Sequence, residues 1–352
     1  MFEVDHITIS IKTDLSDSIE KAFGHEGLGI IAVSGVPELH TKRNKLLPLS
    51  FTFATLPDSV KIKYERPDAY YSYGWSPGKE KIQGKIDLAK GSYYNNPETN
   101  EMAHELMATF PSFYSTNVWP TFELPDLEQA FMNLGQLIVD TGILLASQCD
   151  TLDEVNECPE YEKGQLYRLQ GKCAKARLLH YYSLSEDEIA AQSKTSTFQD
   201  SFAWCGWHND HGTLTGLVQA MYTDSTGATV TNPDPTAGLY VKTRRNEIVK
   251  VNIPPDHLVY QIGETSQILS GGILQATPHA VRGPQVTGVN RETFAVFMQP
   301  LPEKRMAVPS SMDTLDAGKT EHLPKGVPSL LSRWKNNMTF NDFTQATFKA
   351  YY

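Results

Sequence analysis

The fold of this chain turns on Trp207-His208-Asn209-Asp210-His211-Gly212-Thr213-Leu214-Thr215. The segment reads as strand, and side chains two apart on a strand share a face. His208 and Asp210 can therefore reach one point, while Asn209 and His211 point away. One imidazole and one carboxylate are two of the three ligands in the facial triad that holds non-haem Fe(II) with open positions. His-x-Asp alone recurs by chance, so a distant third ligand is needed.

His279 supplies it, within Gln275-Ala276-Thr277-Pro278-His279-Ala280-Val281, and Arg291-Glu292-Thr293-Phe294-Ala295-Val296-Phe297 follows. This order resembles the isopenicillin N synthase-like family of Fe(II)- and 2-oxoglutarate-dependent oxygenases. That family shows His-x-Asp, a Gly-Asp turn closed by Ser-Asn-Gly, His-Arg-Val and then Arg-x-Ser. Here Gly263-Glu264 stands for Gly-Asp, and Gly271-Gly272 replaces Asn-Gly, as suits a turn with positive φ. The gap from His279 to Arg291 is slightly longer than usual and is assigned to a turn from Gly283-Pro284 to Gly288. The resemblance is strong over 204–300 and looser over 15–120, where Gly35-Val36-Pro37 and Asn117-Val118-Trp119-Pro120 carry it.

The resemblance implies that His208, Asp210 and His279 bind Fe(II). No cysteine sits at a ligand position, which argues against a thiolate site; zinc is the competing metal. Arg291 favours iron, because a keto acid chelating the metal would need a bidentate cation for its far carboxylate. Thr293, two residues on, offers a hydroxyl to the same group. Ala176-Arg177-Leu178-Leu179-His180-Tyr181-Tyr182-Ser183 resembles the family's Arg/Lys-x-Asn-Tyr-Tyr-Pro strand, with His180 for Asn and Ser183 for Pro. Alternation groups Leu178, His180 and Tyr182. Tyr182 is then either a donor to the keto acid, with His180 a further polar wall residue, or a buried tyrosine with a structural partner. Arg282 is a rival anion binder, placed at the turn. His211 and the remaining histidines have no ligand context.

Composition bounds the rest. The 352 residues (39.3 kDa, net charge -10, 40% hydrophobic) suffice for a sizeable core. No basic stripe suggests nucleic acid, no apolar run reaches the roughly 20 residues of a membrane span, and the start lacks a secretory pattern. Scattered Cys149, Cys158, Cys173 and Cys205 read as free thiols of a reducing compartment. A cytoplasmic monomer or weak homodimer is expected, with a small-molecule substrate and neither nucleic acid nor membrane as partner.

Leu28–Val33 reads as a buried strand, and a short helix is expected from Leu56-Pro57-Asp58-Ser59-Val60. The aromatic loop from Tyr70 to Glu80 is either a pocket wall or ordinary packing. Residues 126–149 read as one long helix, since Leu127, Phe131, Leu134, Leu137 and Ile138 recur at helical spacing. Gln192–Phe202 is a polar segment, either lid or surface loop. Gly238–Val241 and Ile248–Val251 form a hairpin turning near Arg244-Arg245-Asn246. The tail from 312 is helical.

One compact unit is expected, mainly β with flanking helices around a double-stranded β-helix, the cupin-like jelly roll. Its parts are an N-terminal region (1–120), a backing helix and connector (121–165), the core (166–305) and a helical tail (306–352). The implied activity is a dioxygenase that uses Fe(II), O2 and 2-oxoglutarate to hydroxylate, desaturate or cyclise a small organic substrate, releasing succinate and CO2. The alternatives are an isopenicillin N synthase-type oxidase without 2-oxoglutarate and a non-catalytic binding protein on the same barrel. A zinc hydrolase ranks last, because no nucleophile or general base has its own motif.

Overall fold

The computed structural model describes residues 2–5, 14–78, 81–82, 85–86, 88–170, 173–194 and 202–351. Eight strands build its centre: β1 Lys175–Tyr181, β2 Cys205–His208, β3 Leu214–Val218, β4 Gly238–Lys242, β5 Ile248–Val251, β6 Leu258–Ile262, β7 His279–Arg282 and β8 Asn290–Met298. In one sheet the order is β6-β3-β8-β1, and in the other β5-β4-β7-β2. All ladders within these two sets are antiparallel. This is the expected double-stranded β-helix. Ile30–Ser34 extends the larger sheet beside β6, and Lys90–Asn95 extends it beside β1.

Alternation along β8 fixes what faces what. Phe294, Val296 and Met298 join the core beneath the helices, while Ala295 joins the core between the sheets. Arg291 and Thr293 keep step with Ala295 and face the barrel interior. On the other side lies α3, Leu127–Thr151, close to the expected bounds, with Phe131, Leu134, Ile138 and Leu145 buried. It approaches the sheet very closely. A Cβ on Gly216 would lie 2.2 Å from Ile138 Cγ2, and the Tyr260 hydroxyl donates to the Ile138 carbonyl at 2.7 Å. By length and composition alone α3 could cross a membrane; here its apolar side is buried in the protein.

Among the helices before α3 are α1, Ser16–Phe23, and α2, Leu39–Ala54. The sequence did not suggest α2, which packs on α3, β8 and β1. Pro48 lies inside it and its apolar residues form no clean stripe, so tertiary burial holds it together. The helix expected from Leu56 is a single turn, Asp58–Lys61. In the aromatic loop Tyr73 and Trp75 are buried, and the Tyr73 hydroxyl donates to the Phe113 carbonyl at 2.8 Å, which is packing; Lys79 and Glu80 lie outside the described residues. The polar segment begins as a helix, α4, Glu186–Lys194, and 195–201 lie outside the described residues. Asn246 at the hairpin turn has φ 66°, and Gly271 and Gly272 have φ 67° and 90°, as their residue types suggest. After β6 comes a short helix, α5, Glu264–Leu269, and the tail ends in α6, Phe340–Tyr351.

Candidate metal centre

His208 ends β2, and His279 begins β7 directly opposite it. Their ring centroids are 4.2 Å apart. The expected strand does not run through Asp210; it stops at His208, and the irregular stretch that follows leaves Asp210 beside the pair. His279 Nε2 lies 3.8 Å from Asp210 Oδ2, and ligand atoms of all three residues lie within 4.8 Å of one another.

The group fits a divalent cation. His208 Nδ1 engages the Gly206 carbonyl at 2.9 Å, which sets the tautomer and leaves Nε2 as the ligand. Asp210 Oδ2 is buried without a hydrogen-bond partner. Burial works against the Asp210 charge, yet the His279 and His208 imidazoles and the Thr215 hydroxyl hold its carboxyl below the usual range. Without a metal, burial, reinforced by His208, pushes His279 down to about 4. Burial also works against a charge on His208, yet Cys205, Asp210 and the Gly206 carbonyl raise it to about 9, so a metal bound here would displace the His208 proton. Two imidazoles and one carboxylate in this order suit Fe(II).

Arg291 lies opposite Tyr181 on β1, with its guanidinium 5.1 Å from the Tyr181 ring centroid. Its Nε and Nη1 are buried without partners. A buried cation with two unmet donors asks for an anion. Thr293 follows on the same face and is also buried. A cavity of about 760 Å³ reaches Arg291, bounded also by Tyr222, Leu239 and Lys250.

Tyr182 is not beside Arg291. It packs with the helix-side core, edge-on to His180 at 4.6 Å between centroids. His180 is no wall residue either: its Nδ1 meets Glu292 at 2.9 Å on the outer face, where Thr223 also donates to Glu292. The residue that shares the interior with Arg291 is Tyr181, on the face of β1 opposite the one expected. Alternation already separated Leu179 and Tyr181 from Leu178, His180 and Tyr182; the packing of the two sheets decides that the first pair faces inward. Arg282 ends β7 as expected, and its charge bears on Asp234 rather than on the triad.

A family model, the 2OG-Fe(II) oxygenase superfamily, matches residues 205–300, a span that contains all three ligands and Arg291. An iron/ascorbate oxidoreductase of Dictyostelium discoideum is 25% identical over 298 residues, covering 81% of this chain and 75% of that protein. A 2OG-Fe(II) oxygenase family protein of Caulobacter crescentus superposes with TM-score 0.70 at 20% identity, covering 99% of this chain and 98% of that one. The Arabidopsis thaliana dioxygenase for auxin oxidation, in its 2-oxoglutarate complex, superposes with TM-score 0.60 at 16% identity, over 89% and 98% of the two chains. The matched span thus carries the His-Asp-His group on a double-stranded β-helix, and over residues 205–300 the chain is similar to the 2OG-Fe(II) oxygenase superfamily, whose members are oxidoreductases.

Proposed function

We propose that this protein is a dioxygenase that couples oxidative decarboxylation of 2-oxoglutarate to oxidation of a small organic substrate. The observation that carries this is Arg291, buried on the barrel wall with two donors unmet. His208, Asp210 and His279 would hold Fe(II), which when bound supplies the open coordination positions at which O2 is activated. Arg291 and Thr293 would bind the far carboxylate of the keto acid, with Tyr181 stacked beneath the guanidinium. The apolar walls between the sheets, Leu239, Val241, Val259 and Val281 among them, keep water from the centre.

An isopenicillin N synthase-type oxidase remains the second reading, because Arg291 could equally bind a substrate carboxylate. Anaerobic Fe(II) titration with 2-oxoglutarate separates the two. A weak visible charge-transfer band is expected with the native protein and none with Arg291→Ala, followed by succinate release on adding O2. Iron binding with neither band nor succinate would overturn the proposal. Activity retained by His208→Ala or Asp210→Ala would overturn the metal assignment itself.

A further inference from the structure

Asn209 separates two of the ligands, so its backbone torsions set the distance between His208 and Asp210. It is only 4% exposed, and it is gripped from outside the barrel. Its backbone N–H donates to the Tyr351 hydroxyl at 3.1 Å, and its side-chain Nδ2 donates to Glu264 Oε1 at 3.1 Å. Glu264 in turn donates its backbone N–H to the Asp210 carbonyl at 2.9 Å. The following carbonyls are also caught by the start of α5: Thr265 Oγ1 donates to His211 at 2.6 Å, Thr265 N to Gly212 at 3.0 Å and Gly263 N to Thr213 at 2.8 Å.

The Glu264 carboxylate is wholly buried, which demands a cation. Arg333 provides it, with Nη1 and Nη2 on the two oxygens at 2.9 and 2.5 Å, and Nη1 also donates to Thr347 Oγ1 on α6 at 2.9 Å. Tyr351 sits in the last turn of α6. The tail is thus fastened to the peptide between two ligands through independent bonds to its N–H and its side chain.

We propose that Asn209, Glu264, Arg333 and Tyr351 form a clamp by which the C-terminal helix sets the geometry and affinity of the metal site. They are positioning residues, since none touches the metal. Groups that hold ligands from behind typically change metal affinity about 10–100-fold when removed. The inference rests on the metal reading above.

The test uses Co(II) as the metal probe on the full chain, without keto acid or substrate, reading the dissociation constant and the visible d–d spectrum. Tyr351→Phe and Asn209→Ala each remove one bond to the linking peptide and leave the Glu264–Arg333 pair intact, so both should fold. Each is expected to weaken Co(II) binding about tenfold or more and to shift the d–d bands. Trp334→Phe serves as control: it removes a bond from the tail to the Met306 carbonyl without touching Asn209, so it should lower Tm and leave Co(II) affinity and spectrum unchanged. If Tyr351→Phe and Asn209→Ala bind Co(II) like the native protein with the same spectrum, the clamp is refuted. If they weaken binding only as much as Trp334→Phe does, tail stability is the cause and the clamp is again refuted. A native protein that binds no Co(II) would instead refute the metal assignment.

Discussion

Replacing Arg291 by Met should move stability and cosubstrate affinity in opposite directions. Arg291 is 7% exposed, and its Nε and Nη1 are buried without a partner. Each unmet buried donor costs about 1–3 kcal/mol. Its compensation is the Tyr181 ring, a contact worth about 0.5–2 kcal/mol, and the neighbouring Tyr222 hydroxyl. Met has similar length and no donors, so the ligand-free protein should hold its stability or gain about 1–2 kcal/mol. With 2-oxoglutarate the sign reverses. Two charge-assisted bonds of about 1.5–3 kcal/mol each are lost, so the dissociation constant should rise about 10²–10⁴-fold at 1.4 kcal/mol per decade. Urea denaturation without ligand and titration of the charge-transfer band measure the two quantities. A variant that is destabilised by several kcal/mol yet binds 2-oxoglutarate within threefold of the native protein would refute the anion-site reasoning and make Arg291 structural.

Tyr181→Leu should weaken 2-oxoglutarate binding about 2–30-fold through loss of the cation–π contact, whereas Tyr182→Phe should leave it unchanged; equal effects in the same titration would contradict the facing assigned to β1. Lys175 is fully enclosed, donates to the Ser112 carbonyl at 2.7 Å, and burial pushes it down to about 7. Its folded pKa lies below its unfolded one, so the unfolded chain holds the proton more tightly: the destabilisation is full below pH 7, shrinks as pH rises toward about 10.4, and is gone above that. Lys175→Met should therefore stabilise by a few kcal/mol, on the order of the shift at about 1.36 kcal/mol per unit, in urea melts at pH 6, with the gain fading by pH 10; a pH-independent difference would contradict this. Gly216→Ala should cost about 1–3 kcal/mol by pushing a methyl into Ile138 on α3, seen as a lower Tm with unchanged metal stoichiometry, and an unchanged Tm would mean that α3 sits less tightly than described.

Much of the site was legible because its signals are local. His208 and Asp210 sit two apart, Arg291 and Thr293 sit two apart, and alternation or a short irregular stretch converts such spacing into a shared direction. The jelly-roll strands were legible for the same reason, as was α3, whose apolar stripe repeats at helical spacing. The failures were of two kinds. The alternation along β1 was right, but periodicity alone does not say which of a strand's two faces is the interior, so Tyr182 was chosen where Tyr181 faces inward. The helix α2 was missed because its sequence holds Pro48 and no clear stripe, and its helicity depends on packing against α3 and β8.

The sequence by itself determined which residues could ligate a metal and which barrel would hold them, because side-chain chemistry and short-range periodicity are written in the chain. Only the tertiary structure decided what Glu264 does. As a sequence change, Asp to Glu is mild. In the fold that carboxylate meets Asn209 from 55 positions earlier and Arg333 from 69 positions later. Contacts that distant depend on where whole elements pack, and no local periodicity encodes them.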